Sequence, residues 1–304
     1  MRWGDFRRSS NVEDNRAGGG RIGGGMPIGR RGGLGIGTIV VLGLIGWALG
    51  IDPRLLIGGA DLVSRGGTQS EQRPSAPMQT GAPSDQTGQF VAAVLGDTED
   101  VWKAIFQANG QTYREPKLRL FARVEQSACG FAQSAMGPFY CPTDQRVYLD
   151  TSFFEELQTR FRGCPVGSSG CEFAQAYVIA HEIGHHVQNL LGILPRVRQQ
   201  QEAMATTAQR NQIQVMVELQ ADCLAGVWAH HSRERWKSIT DEDVNAALQT
   251  ASAIGDDTLQ RRSQGYVVPD AFTHGSAEQR KRWFMAGLNS GKLSSCNTFA
   301  DAQL

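Results

Sequence analysis

Uncharged residues form one unbroken stretch early in this chain, Gly32 to Ile51, whereas beyond residue 90 apolar positions recur at helical or alternating spacing. The stretch, Gly-Gly-Leu-Gly-Ile-Gly-Thr-Ile-Val-Val-Leu-Gly-Leu-Ile-Gly-Trp-Ala-Leu-Gly-Ile, reaches about 30 Å at 1.5 Å per residue, enough to cross a bilayer. Glycine at this density weakens a helix in water but is common in membrane helices. A cleaved signal peptide is the competing reading. The apolar core is long for one, and no clear small-x-small cleavage site follows before Asp52-Pro53, so an uncleaved transmembrane helix over 32–51 is expected. Ahead of it, 1–31 reads as an Arg/Gly-rich arm, with Arg2, Arg7, Arg8, Arg16, Arg21, Arg30 and Arg31 against Asp5, Glu13 and Asp14. The positive-inside rule keeps such an arm in the cytoplasm. The expectation is a single-pass membrane protein whose remaining chain faces outward, into a periplasm or the extracellular space.

Residues 52–89 read as a linker, rich in Gly, Ser, Thr, Gln and Pro from about Gly58 to Gln89. From 90 to 304 there is length for one packed domain. Within it Asp97 to Gln107 reads as a helix. Leu118, Leu120, Ala122 and Val124 alternate with Arg119, Phe121, Arg123 and Glu125 as in a half-buried strand, and Gln145 to Asp150 reads as another strand. Further helices are expected near 152–161, 174–191, 196–230 with a break, 241–254 and 276–290. The fold class is α+β, mostly helical with a small sheet. Thirty basic residues balance thirty acidic ones, so net charge points to no partner. The arm has no interleaved aromatics beyond Trp3 and Phe6, so no nucleic acid is expected.

Chemistry concentrates in two helical segments. His181-Glu182-Ile-Gly-His185 places two imidazoles four residues apart, about 40° around the helix axis, on one face and close enough to share a metal ion. The uncharged flanks Ala176-Tyr-Val-Ile-Ala180 and Val187-Gln-Asn-Leu-Leu191, with Gly192 as a stop, mark a largely buried helix. Glu182 stands beside the metal as the catalytic base. A hydrolytic zinc takes three protein ligands and a water, so a third is needed. Glu218-Leu-Gln-Ala-Asp222 supplies it: Glu218 as ligand, and Asp222, on the same face, reaching the far nitrogen of a ligand histidine. Gln188 and Leu191 stand where the extended H-E-x-x-H-x-x-G-x-x-H pattern needs glycine and histidine, which steers the site to the His-His-Glu class.

His274, in the loop Asp270-Ala-Phe-Thr-His274-Gly-Ser276 ahead of an S-x-x-Q cap, is the candidate donor to a developing oxyanion, with a surface or ligand-supporting place as the alternative. His186, His230 and His231 point away from the ligand faces and read as packing or surface residues. All six cysteines lie beyond the apolar stretch, as an oxidising compartment favours. Of the fifteen possible pairings, short closures suggest Cys129 with Cys141 and Cys164 with Cys171, leaving Cys223 with Cys296.

Taken together, His181-Glu-Ile-Gly-His185-His186, Glu218-Leu-Gln-Ala-Asp222-Cys223, the run from Cys129-Gly to Gly137-Pro-Phe-Tyr-Cys141-Pro, Val147-Tyr-Leu-Asp150 and Thr273-His-Gly-Ser276 resemble the bacterial neutral zinc metallopeptidases of the YpfJ type. The resemblance runs from about residue 90 to the C-terminus and takes in the N-terminal layout. It implies a zincin-like fold, one Zn2+ on His181, His185 and Glu218, Glu182 as acid/base, and a peptide or protein substrate. The expected activity is that of a membrane-anchored zinc metalloendopeptidase working through zinc-activated water. Two rivals stay open: an inactive zinc-stabilised membrane scaffold, and a hydrolase of a non-peptide amide in the cell envelope.

Overall fold

Among the described residues, four of the helices begin where a side chain takes up a free backbone N–H group of the first turn. In the computed structural model, which describes residues 1–17, 79–81, 83–134, 137–161, 164, 169–237 and 239–300, Asp85 caps helix α1 (Gln86–Ala108). Helix α2 (Ser152–Thr159) and helix α3 (Ser169–Leu190) follow. Gly192, at φ +70°, turns the chain into α4 (Ile193–Ala203). Capping boxes open the next long helices: Thr206 with Gln209 for α5 (Thr207–Trp236), Thr240 with Asp243 for α6 (Asp241–Ala253), and, after α7 (Asp256–Gln264), Ser276 with Gln279 for α8 (Ala277–Ser290). The break expected within 196–230 is the non-helical step from Met204 to Thr206.

Strands β1 (Val12–Asp14), β2 (Gln79–Thr80), β3 (Lys117–Phe121), β6 (Phe139–Cys141) and β7 (Arg146–Asp150) form one sheet in the order β2-β1-β3-β7-β6. β1, β3 and β7 run parallel, and β2 and β6 are antiparallel at the two edges. β4 (Val124–Ser127) and β5 (Gly130–Gln133) make a separate hairpin. The alternation read from 118 to 125 therefore breaks in two. Arg123 adopts φ +71°, Phe121 is buried with Leu118 and Leu120, and Val124 turns outward. The chain is α+β and mostly helical, as its patterning implied.

The N-terminal segment departs from expectation. Met1–Gly19 belongs to the same compact unit as Pro77–Leu304 instead of forming a separate arm. β1 sits inside the sheet, with Val12 opposite Leu118 and wholly buried. Phe6 packs on Trp236 at 5.3 Å between ring centroids. Two arginines read as topogenic are ion-paired within this unit, Arg7 with Glu99 and Asp100 and Arg16 with Asp14 and Asp85. The linker is likewise shorter than expected, because β2 and the first turn of α1 occupy part of 79–89. The expected membrane helix at 32–51 lies outside the described residues, among which no helix is long and apolar enough to cross a membrane.

α3, α5 and α8 form the centre of the helical layer. Glycines let them approach: a Cβ on Gly287 of α8 would lie 1.9 Å from the Cys223 carbonyl oxygen, and one on Gly226 of α5 would lie 2.1 Å from that of Phe284. The three disulfides are the expected ones, Cys129–Cys141, Cys164–Cys171 and Cys223–Cys296, and the last joins α5 to the tail.

Two substitutions test this packing. Phe6→Ala should lower the unfolding free energy by about 3 kcal/mol in urea melts; no change would mean that the N-terminal segment is not part of the folded unit. Gly287→Ala should cost about 3 kcal/mol or prevent folding, since backbone stands where the methyl must go.

Candidate metal centre

Gly184, between the two motif histidines, lets α3 lie against α5. A Cβ there would meet Ala221 backbone atoms at 3.0 and 3.1 Å, so a larger residue requires the two helices to give by a few tenths of an ångström. That crossing carries Glu218 to the histidines. Glu218 Oε2 lies 3.1 Å from His181 Nε2 and 3.4 Å from His185 Nε2, and one ligand atom from each of the three residues fits within a 4.8 Å span. The imidazole rings are edge-to-face, 4.8 Å between centroids. His181, Glu182 and Glu218 are all buried.

The opposite ring nitrogens are occupied. His181 Nδ1 lies 2.9 Å from Asp222 Oδ1 and His185 Nδ1 lies 2.8 Å from Gln188 Oε1. Both acceptors call for hydrogen on Nδ1, which turns the two Nε2 lone pairs toward one carboxylate oxygen. Lone pairs facing an anion need a cation between them. In the metal-free protein a proton serves: burial alone disfavours the charged ring, but the Glu218 charge, its hydrogen bond and the nearby Glu182 raise His185 to about 9. His181 is raised in the same way by Asp222 and Glu218 against burial. Glu218 is held well below the usual carboxylate range, because the histidine charges and hydrogen bonds outweigh the opposing effect of burial. Two nitrogens and one oxygen form a donor set suited to a hydrolytic zinc.

Asp222 does more than orient His181. Arg280 of α8 binds it twice, at 2.8 and 2.9 Å, and the Tyr177 hydroxyl donates to it at 2.5 Å. Its pKa is lowered, since Arg280 and His181 overcome the burial that would raise it. Gln214, one turn before Glu218, donates to Glu218 Oε1 at 2.8 Å. Sequence reasoning missed Gln188, Gln214 and Arg280. The first two stand at i+3 from His185 and i−4 from Glu218, a spacing that marks a shared helix face; nothing local marks Arg280. Tyr177, given no role beforehand, belongs here.

His274 comes into the same region on its loop. Gly275, at φ +91°, packs where a Cβ would meet Leu219 at 3.0 Å and Val215 at 3.3 Å, on the α5 turn that carries Glu218. The Asp256 side chain accepts from the backbone N–H groups of Thr273, His274 and Gly275, and its other oxygen lies 3.4 Å from His274 Nδ1. The His274 side chain remains half exposed. His186 stays out of the ligand set, bonded to Tyr140 and the Arg114 carbonyl, and burial lowers it to about 4. His230 and His231 bond carbonyls of α8 and its cap, as packing residues do.

A sequence profile of the family described as "Putative neutral zinc metallopeptidase" matches residues 1–299. The chain belongs to this family. The Uncharacterized protein YpfJ of Escherichia coli (strain K12) is 44% identical over 304 residues, covering 98% of this chain and 99% of its own. The Uncharacterized protein Rv2575 of Mycobacterium tuberculosis (strain ATCC 25618 / H37Rv) is 39% identical over 269 residues, covering 84% of this chain and 85% of its own. No solved structure matches. As a zinc metallopeptidase the protein takes one Zn2+, and His181, His185 and Glu218 are the group that could hold it.

In this peptidase, zinc and protons compete for the same Nε2 positions. Zinc affinity should therefore rise with pH up to about 9, where His185 gives up its proton, as chelator competition would measure. The metal-free protein should behave oppositely. A raised histidine pKa stabilises the fold fully below the unfolded value of about 6.5, and that contribution disappears as pH climbs through about 9. Metal-free protein that gained stability over this interval would contradict the assignment.

Proposed function

We propose that the protein is a zinc metalloendopeptidase of zincin type that hydrolyses peptide bonds in extended or unstructured polypeptide, with Glu182 as general acid/base. One observation carries the reading: His181, His185 and Glu218 converge while Glu182, fixed on the same helix and not needed as a ligand, stays beside them. A purely structural site has no use for that fourth group. When bound, zinc supplies a Lewis acid that brings the pKa of a water toward 7 and polarises a carbonyl.

The protein's own residues do the rest. The Glu182 carboxylate takes the proton from the attacking water and passes it to the leaving amine. Asp222 and Gln188 keep the two rings turned so that Nε2 faces the metal. His274, whose Nδ1 side is engaged by Thr273 at 3.0 Å and by Asp256, presents Nε2 to the carbonyl oxygen as negative charge builds there. β6 ends the sheet, and its Tyr140 touches His186, next to ligand His185. An extended substrate pairs along that edge, which satisfies its backbone and reads little of its side chains.

The apolar stretch at 32–51 supports work at a membrane. A single crossing there would separate Met1–Gly19 from the domain that it completes, so both flanks of the stretch belong on one side. The three disulfides favour the oxidising side. Fractionation with protease protection of tags at both ends of the folded unit reads this directly; tags on opposite faces would refute it.

Zinc-loaded full-length protein should cleave an unfolded protein substrate. Glu182→Gln should lower kcat by about a thousandfold at unchanged zinc content; equal activity in both forms would sink the peptidase mechanism. His274→Ala should keep its zinc and lose about a hundredfold in kcat, with KM little changed.

A further inference from the structure

Behind His185 lies a chain of amides that begins at Gln188 and runs beyond it to the tail. Gln188 is wholly buried, and its amide nitrogen donates to the Val217 carbonyl at 2.8 Å and to Gln220 Oε1 at 3.0 Å. The Gln220 amide nitrogen donates in turn to the Cys296 carbonyl at 2.8 Å. Backbone carbonyls only accept hydrogen bonds, and this fixes every orientation along the chain. Gln220 must turn its NH2 to Cys296, which leaves its oxygen for Gln188. Gln188 must turn its NH2 to Val217 and Gln220, which leaves its oxygen for His185 Nδ1 at 2.8 Å. An amide oxygen cannot donate, so His185 carries hydrogen on Nδ1 and presents Nε2 to Glu218 Oε2.

The anchor of this chain is covalent. Cys296 is bonded to Cys223, one residue past Asp222 on the helix that carries Glu218. Thr298 adds a hydrogen bond from its hydroxyl to the Met216 carbonyl at 2.7 Å. The tail thus lies on α5 in a fixed register, with its Cys296 carbonyl held over Gln220. The two ligand histidines are supported differently: His181 by a carboxylate bound to Arg280, His185 by a neutral relay ending on the tail.

We propose that Gln188 and Gln220 form a positioning relay that locks His185 in its Nδ1–H tautomer, and that the tail, pinned by the Cys223–Cys296 disulfide, thereby sets how tightly the centre holds its metal. This rests on the reading of His181, His185 and Glu218 as metal ligands. It predicts that residues touching neither metal nor substrate control zinc affinity. Gln220 is the informative position, because it contacts no ligand side chain in the relay.

The test measures zinc dissociation constants of the full-length protein by competition with a chromogenic chelator, for the parent, Gln188→Met, Gln220→Met and the double variant, with thermal melts alongside. Gln188→Met should weaken zinc binding by about 10- to 100-fold, and Gln220→Met by on the order of 10-fold. The double variant should be no weaker than Gln188→Met, because both act through one chain. Long-range 15N NMR of histidine-labelled, metal-free protein, at a pH high enough for the His185 ring to be neutral, should show hydrogen on Nδ1 of His185 in the parent and a mixed tautomer in Gln220→Met, which a loss of general stability would not produce. Where Gln188→Met fails to fold, Gln220→Met and a Cys223→Ser/Cys296→Ser pair carry the test in the same direction. Affinities within twofold of the parent in the folded variants, additive losses in the double variant, or an unchanged tautomer would overturn the relay. The parent's own zinc binding is measured first, so absence of the metal site is distinguished from absence of the relay, and neither depends on peptidase activity.

Discussion

The close crossing of α3 and α5 at Gly184 and Ala221 is the contact on which the centre depends. Without a side chain at 184 the two backbones come together, and residues on the facing turns meet in pairs: His181 and His185 with Glu218, His181 with Asp222, Gln188 with Gln220 and the Val217 carbonyl. Widening the crossing by even the thickness of a methyl group would lengthen all of these at once. The motif glycine is thus a packing residue that acts on metal geometry. The same device recurs where Gly226 and Gly287 bring α8 onto α5, which is how Arg280 reaches Asp222 from another part of the chain.

Burying several charges in one place costs desolvation, and the centre offsets it by pairing Asp222 and Glu218. Asp222 is neutralised by Arg280 and bonded by Tyr177, and Glu218 faces two imidazoles. Only the space between those rings and Glu218 calls for a further positive charge. Protons supply it in the metal-free protein, which is why the histidines are raised and Glu218 lowered. A zinc ion held by His181, His185 and Glu218 would supply it in their place.

How far could the chain have been read without its fold? The chemistry-bearing residues were legible because helical spacing is local: positions four apart share a face whatever surrounds them, so His181, His185, Glu218 and Asp222 were named with their directions. The helices from 152 onward were legible for the same reason except α7 (Asp256–Gln264), which no expectation covered, and the cysteine pairs followed from short loops and elimination. The first residues were misread. Arg7 and Arg16 have their partners about ninety and seventy positions away, and a three-residue strand at Val12–Asp14 is too short to show a period. Charge near an apolar stretch looked topogenic, and only the fold shows that Arg7 and Arg16 also have partners within the folded unit.

Local covalent spacing, then, was enough to determine the donor types and their faces, and the motifs together were enough to mark the resemblance to the family. The tertiary fold decided which partners complete each donor: Gln188 and the tail behind His185, Arg280 behind Asp222, Asp256 beneath the His274 loop, and β1 within the sheet. The division has a physical reason. A helix repeats over a handful of residues and writes its faces into the sequence, whereas a contact between distant segments depends on how closely backbones approach, and small residues permit that approach without naming the partner.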